Sequence, residues 1–255
     1  MPNLLALANP TRFMQLSGAL LPWLWALALA ALGIGLWLAV FSVPADYQQG
    51  ETVRIMYIHV PAAWLALFLY TLMALSALGT LIWRHPLADV SQKAAAPIGA
   101  AFTLVCLLTG AFWGKPMWGT YWVWDARLTS VLVLLLIYLG LLALWRSIDD
   151  PSRAGRAVAI MTLVGFINVP IIKFSVDWWN TLHQPASVFR LQGPSIHPSM
   201  LWPLLLVAVG FTLLALALHM LAMRAEIMRR RIRTLEILEA ARLDAVGQMP
   251  SGASA

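Results

Sequence analysis

Residues 19–41 read ALLPWLWALALAALGIGLWLAVF and contain no charged side chain. A helix needs about 20 predominantly apolar residues to cross the hydrocarbon core of a bilayer, so this stretch is long enough to span a membrane. The rest of the chain has the same character, because 61% of its 255 residues are hydrophobic and only 11% are charged. The sequence therefore predicts an integral membrane protein and excludes an ordinary soluble domain.

Five more apolar runs follow the first. The six predicted spans cover residues 19–41, 55–83, 94–114, 128–145, 157–176 and 198–223. Each run is apolar on all sides, which favours helices over the alternating strands of a β-barrel. The fourth run is short and the fifth contains Asn168, Pro170 and Lys173, so five crossings remain an alternative. We predict an all-α fold, a polytopic bundle of six transmembrane helices.

Lysine and arginine are distributed unequally between the two sides of this bundle. One side collects twelve of them, at Arg12, Arg84, Lys93, Arg146, Arg153, Arg156, Arg224, Arg229, Arg230, Arg231, Arg233 and Arg242. The other collects five, at Arg54, Lys115, Arg127, Lys173 and Arg190. Because cations accumulate in cytoplasmic loops, both termini are expected to be cytoplasmic, and the loops at about 42–57, 113–127 and 174–200 to face outward. This asymmetry accounts for the net charge of +6, which then gives no evidence for nucleic-acid binding.

The domain organisation is simple. We predict a transmembrane domain over residues 1–223 and a basic cytoplasmic helix and tail over residues 224–255. In the tail, apolar and cationic residues recur at helical spacing, at Ile227, Arg231, Leu235, Leu238 and Arg242. Such a segment is either held by lipid headgroups or docks a cytoplasmic partner. The single cysteine, Cys106, excludes an intrachain disulfide and a CxxC pair.

The loop at about 113–127 is unusually aromatic. Its second half reads WGTYWVWDARL over residues 118–128 and ends with Asp125 and Arg127, which could pair with each other. A helical loop would place Trp118 and Trp122 on one face, whereas the neighbouring glycines and proline favour an irregular platform. Tryptophan favours membrane interfaces, so an aromatic belt is the alternative to a surface that holds a flat, apolar ligand.

Two histidines are predicted at the same outer edge. His59 begins the second span, and His183 lies between the fifth and sixth spans. The iron of a planar macrocycle takes imidazole ligands on opposite faces, and its carboxylates need cations nearby. Outward cations are available at Arg54, Lys115, Arg127 and Arg190, and His197 is a reserve ligand. The alternative is that each histidine is an ordinary hydrogen-bonded interfacial residue.

The sequence lacks the common hydrolytic motifs. It contains no H-E-x-x-H, no G-x-S-x-G and no P-loop, so we expect no enzyme and assign any ATP hydrolysis to a partner subunit.

The segment WGTYWVWDARLT, residues 118–129, resembles the tryptophan-rich signature of haem-handling membrane proteins. With six spans and a histidine on each flank, the chain resembles the CcmC family of bacterial cytochrome c maturation over nearly its whole length. The signature leads us to expect tryptophan where Tyr121 stands, although an aromatic face is kept. The resemblance implies that His59 and His183 are axial ligands of haem b on the periplasmic side of the inner membrane.

The resemblance also implies roles for other side chains and partners. Trp118, Trp122 and Trp124 would lie against the ring and Asp125 would orient the loop, while Arg54 and Arg127 would meet the propionates. The protein would present haem to the periplasmic haem chaperone CcmE, which attaches haem covalently. It would act in an ABC-type complex with the ATPase CcmA, the membrane subunit CcmB and the small subunit CcmD.

Two other functions are weighed from the residues. A b-type cytochrome subunit carries histidine pairs within its helices, and neither His59 nor His183 has a second histidine in the same span. A haem or small-solute permease subunit of an ABC exporter usually leaves polar groups at mid-span, where this chain has little beyond Asn168, Thr109 and Cys106.

Overall fold

The computed structural model describes residues 9–185 and 187–247, which contain seven α-helices and no β-strand. The helices are α1 (Pro10–Phe41), α2 (Met56–Trp83), α3 (Pro86–Trp118), α4 (Ala126–Ser147), α5 (Pro151–Gly165), α6 (Asn168–Trp178) and α7 (Pro198–Gly247), and a 3-10 turn at Glu51–Ile55 precedes α2.

Within the described part of the chain, six segments are long and apolar enough to cross a membrane, which confirms the predicted all-α bundle of six spans. Helices α1 to α4 and α7 form one segment each, and α5 and α6 together form the fifth. Six crossings place the start of α1 and the end of α7 on the same side. Contacts between the first turns of α1 and the second half of α7 agree with this: the Arg224 guanidinium donates to the Ser17 hydroxyl at 2.9 Å and to the Met14 carbonyl, and Arg231 donates to the Thr11 hydroxyl at 3.1 Å.

The fifth crossing is interrupted at Phe166 and Ile167. Pro170 lies in the first turn of α6, where its missing N–H leaves no helical hydrogen bond unmade. The Asn168 side chain donates to the Ser130 carbonyl at 2.9 Å and so ties α6 to α4. Asn168 and Pro170, which made the fifth predicted span uncertain, therefore form the first turn of α6.

Two helices extend well beyond their apolar runs. Helix α3 begins at Pro86 instead of residue 94, capped by the His85 side chain, and ends at Trp118. Helix α7 continues unbroken to Gly247. The polar extensions hold each other: Glu226 accepts from Lys93 and from Arg230, each at 2.9 Å, and Arg230 also contacts Asp89 at 2.6 Å. Residues 248–255 of the predicted tail lie outside the described part of the chain.

The half of the bundle nearest the chain ends is closely packed. Tyr70 and Tyr138 are fully buried, with their rings 5.2 Å apart. The Tyr70 hydroxyl donates to the Thr162 carbonyl at 3.1 Å, and the Tyr138 hydroxyl donates to the Ala66 carbonyl at 2.9 Å. These bonds join α2 to α5 and to α4, and they form a floor beneath the opposite half.

Candidate functional site

The opposite half of the bundle contains a cavity of about 590 Å³. Helices α2, α3, α4 and α6 form its sides, and the segments before α2 and after α6 form its rim. Its deepest wall includes Ala66 and Leu134, both almost fully buried. The volume falls within the roughly 300–1,000 Å³ typical of small-molecule and cofactor sites.

His59 faces this cavity from the first turns of α2 with a defined tautomer. Its Nδ1 lies 3.1 Å from both the Cys106 carbonyl and the Thr109 hydroxyl. The Thr109 hydroxyl donates its own hydrogen to the Val105 carbonyl at 2.6 Å, so towards His59 it can only accept. Nδ1 therefore carries the proton, and Nε2 keeps a lone pair for a ligand.

The imidazole of His59 fits closely between two neighbours. A Cβ added at Gly110 would stand 2.9 Å from Cε1 of His59, so only glycine leaves room for the ring. On another side the Trp113 ring meets the imidazole edge-on, with centroids 5.6 Å apart. Trp113 is itself held by donating to Gln49 Oε1 at 2.9 Å. The position of His59 is thus fixed by α3.

His183 lies in the loop after α6 and is backed by a carboxylate. Its Nδ1 is 3.4 Å from Oδ2 of Asp125, whose other oxygen caps α4 by accepting from the Leu128 N–H at 2.7 Å. Burial lowers the pKa of His183 despite the opposing effect of Asp125, so the imidazole is neutral at pH 7. An ionised Asp125 can only accept a hydrogen bond, so Nδ1 of His183 carries the proton. Nε2 of His183 therefore keeps a lone pair that can bind a metal.

Arg127 brings positive charge to the cavity wall. Its guanidinium donates to the Ser175 hydroxyl at 2.9 Å and to the Ile172 carbonyl at 3.3 Å. No carboxylate lies within ion-pair distance of it among the described residues, so it does not pair with Asp125. The charges of Asp125 and Asp177 act on it from beyond ion-pair distance. A partly buried cation with no direct ion pair still favours an anionic group beside it in the cavity.

The tryptophan segment is a platform and not a helix. Helix α3 ends at Trp118 because Gly119 adopts the left-handed conformation, with φ of 76°. Residues 119–125 are irregular, so Trp118 and Trp122 do not share a helical face and the irregular alternative is correct. Both still line the cavity, where Trp118 meets His183 edge-on at 4.9 Å. The Trp122 indole N–H is buried and finds no acceptor in the described part of the chain.

The structure brings most of the predicted site residues together. His59, His183, Trp118, Trp122 and Arg127 line the cavity, and Asp125 stands directly behind His183. Trp124 packs edge-on against Trp122 at 5.5 Å but is 76% exposed. Arg54 lies outside the cavity wall, because its guanidinium binds Glu51 at 2.5 Å and the Ala39 carbonyl.

The other outward candidates lie elsewhere. Lys115 donates to the Gly119 carbonyl at 2.9 Å, and Arg190 is exposed. His197 is engaged with the Ser199 hydroxyl at 2.8 Å, just before α7.

Lys173, in contrast, lines the cavity, although from the sequence it is only one of the five outward cations and a residue that weakens the case for the fifth span. Lys173 directly follows buried Ile172, whose carbonyl accepts from Arg127. Its place at the cavity could not be predicted from the sequence, because the break before α6 sets which face of that helix meets the cavity.

The donor set limits what the cavity can hold. Among the described residues, no three histidine, cysteine, aspartate or glutamate side chains converge as they would to bind a bare metal ion. Two neutral imidazoles with free Nε2 atoms suit an iron whose other ligands come from a macrocycle. The apolar walls suit the faces of such a ring, and Arg127 suits its acidic edge.

Comparison with known proteins identifies the family of the chain. The sequence model of the CcmC family, described as heme exporter protein C, matches residues 3–238. Heme exporter protein C of Bradyrhizobium diazoefficiens is 62% identical over 98% of this chain and 95% of its own. The protein of the same name from Escherichia coli K12 is 50% identical over 86% and 88%, and that of Paracoccus denitrificans is 46% identical over 89% and 95%. The chain therefore belongs to the CcmC family.

Proposed function

We propose that this protein binds haem in the cavity, with Nε2 of His59 and Nε2 of His183 as the axial donors. The observation that carries the proposal is their matched state: each histidine has Nδ1 engaged and Nε2 free, and both line one cavity. The relatives' name, heme exporter protein C, supports haem as the cargo. Haem b, which has no covalent link to protein, is the form we propose.

The rest of the cavity supports a planar, amphipathic ligand. Trp118 and Trp122 provide aromatic surface beside His183, and Arg127 with Lys173 provides positive charge for the propionates. When bound, the ring would supply an iron atom, and His59 and His183 would coordinate it. This chain's own contribution is to hold the imidazoles neutral and oriented and to shield the ring's faces from water.

We further propose that the cavity opens to the periplasm and that its haem is passed to the chaperone CcmE. The unequal cation distribution supports cytoplasmic ends and a periplasmic cavity in the inner membrane. Exposed Trp124 and Tyr121, on the loop beside Trp122, offer a contact surface at the rim. CcmA, CcmB and CcmD complete the ABC-type complex in this proposal, and ATP hydrolysis belongs to CcmA.

One observation favours the alternative of a haem or small-solute permease subunit. The cavity reaches down to Ala66 and Leu134, near the middle of their helices. Immediately beyond them, however, buried Tyr70 and Tyr138 bridge α2, α4 and α5. A binding site closed at its floor is therefore the better description.

Haem loading of the chaperone in cells tests this function. Trp122→Ala should reduce the haem covalently attached to co-expressed CcmE at least tenfold while the protein still accumulates in the membrane. Trp83→Ala is the matched control, since Trp83 is 71% exposed at the opposite end of α2. Chaperone loading that is equal in both variants and wild type would refute hand-over from this cavity.

A further inference from the structure

The two histidines are backed by chemically different groups. Behind His183 stands the carboxylate of Asp125, whose side chain is only 6% exposed, so water screens its charge poorly. Behind His59 stand two neutral acceptors, the Cys106 carbonyl and the Thr109 hydroxyl. The ligand pair is therefore symmetric in residue type but not in its surroundings.

This difference changes how strongly each Nε2 donates. A carboxylate that accepts from Nδ1–H pulls the proton away from the ring and makes the opposite nitrogen a more basic ligand. The Asp125 oxygen lies farther from Nδ1 than either acceptor of His59 does, at 3.4 Å against 3.1 Å. Its effect on the ring therefore comes from its full negative charge, which a neutral carbonyl or hydroxyl lacks. The carboxylate is at the same time fixed in place, since its other oxygen caps α4.

We propose that His183 is the stronger, retained haem ligand and His59 the weaker, exchangeable one, with Asp125 and Thr109 as the positioning residues that create the difference. The inference rests on the proposed function. When haem leaves, the bond between iron and His59 Nε2 breaks first, and an incoming donor's lone pair takes that position. No electron is transferred in this exchange, and His183 holds the ring until it is complete.

The chain offers clean substitutions for this test. Asp125→Asn removes the charge but keeps a side-chain oxygen, and asparagine caps helices as well as aspartate does. Thr109→Val removes only the neutral hydroxyl and leaves the Cys106 carbonyl to hold His59. Asp177→Asn removes a carboxylate from the same cavity wall that bonds neither histidine, so it controls for general loss of charge.

The experiment is resonance Raman spectroscopy of ferrous haem bound to single-ligand variants. In a His59→Ala background the ring is held by His183 alone, and Asp125→Asn should lower the iron–histidine stretching frequency. In a His183→Ala background the same substitution should leave that frequency unchanged. Asp177→Asn should have no effect in either background.

In the protein with both histidines, Asp125→Asn should also shift the midpoint potential to a more positive value, and Thr109→Val should shift it less.

A second measurement leaves Asp125 untouched. Carbon monoxide added to the ferrous wild-type protein should displace His59, so the carbonyl stretching mode should match that of His59→Ala and differ from that of His183→Ala. A match to His183→Ala, or equal Asp125→Asn effects in both backgrounds, would overturn the assignment while leaving haem binding intact. A wild-type protein that binds no haem through these histidines would overturn the proposed function itself and this inference with it.

Discussion

At the scale of single residues, the site depends on a missing side chain. Gly110 faces the His59 ring so closely that a Cβ there would stand 2.9 Å from Cε1. Carbon atoms in ordinary contact are about 3.5–4.0 Å apart, so the ring would have to move. Because Thr109 and Cys106 hold Nδ1, a movement would break hydrogen bonds that fix the tautomer.

We expect Gly110→Ala to weaken haem binding at least tenfold, which is about 1.4 kcal/mol. Insertion into the membrane should be unaffected, because alanine is a better helix former than glycine. Titration of the purified protein with haem measures the effect. Gly140→Ala on α4 is the control, since nothing lies within 4 Å of its added Cβ. Equal affinities in the two variants would show that His59 is not placed as described.

Most of the residues that line the cavity could be predicted from the sequence, but the side chains that they contact could not. His59 and His183 follow from their positions at the ends of outward spans. Arg54 is kept out of the cavity wall by Glu51, three residues earlier in a 3-10 turn. The apolar pattern of the sequence does not predict that turn. Trp124 is exposed because the backbone after Gly119 is irregular. An irregular segment has no helical periodicity from which the direction of a side chain could be predicted.

At the scale of helices, α1 is held to the bundle by close backbone contact with α7. A Cβ added at Gly35 would stand 2.8 Å from Val207 Cγ2 and 3.1 Å from the Val207 backbone nitrogen. Gly210 of α7 meets Leu32 of α1 in the same way, with a distance of 2.8 Å. Small residues at such contacts allow van der Waals packing, which drives helix association in lipid.

Replacing Gly35 by isoleucine should therefore separate α1 from α7 and destabilise the protein by about 1–3 kcal/mol, the usual cost of overpacking. Gly33→Ile is a matched control two residues away on the same helix, because its Cβ would meet nothing within 4 Å. Thermal unfolding in detergent, followed by circular dichroism, compares the two. A lower melting temperature for Gly33→Ile than for Gly35→Ile would contradict this packing.

The helices show where sequence reasoning stops. Apolar length predicts all six spans, because burial in lipid demands it. It does not predict the first two turns of α3, which are polar and pair with α7 through Lys93 and Glu226. The extension of α7 past residue 223 is predicted instead from the helical spacing of its apolar and cationic residues. The break before α6 is likewise a tertiary feature, secured by Asn168 on Ser130.

At the scale of the whole molecule, the two ends of the bundle differ in character. One end is closed by ion pairs between α3 and α7, and the other opens into the cavity between three loops. The cation count assigns the closed end to the cytoplasm. This orientation is a proposal that chemical labelling can test.

Cysteine labelling should report the orientation directly. The native Cys106 is buried, so introduced cysteines at exposed Gln192 and exposed Glu239 can be compared with little background. A membrane-impermeant maleimide added to intact spheroplasts should modify Gln192→Cys and spare Glu239→Cys until the membrane is permeabilised. The reverse pattern would place the cavity on the cytoplasmic side.

The most direct test of the central claim, that His59 and His183 together hold haem, is the visible absorption spectrum of the purified protein. The wild type, oxidised and reduced, should show a six-coordinate bis-histidine spectrum after expression with sufficient haem. His59→Ala and His183→Ala should each lose it while remaining in the membrane at wild-type amounts. Unchanged spectra and haem content in both variants would contradict the account, because the haem would then be bound by other residues.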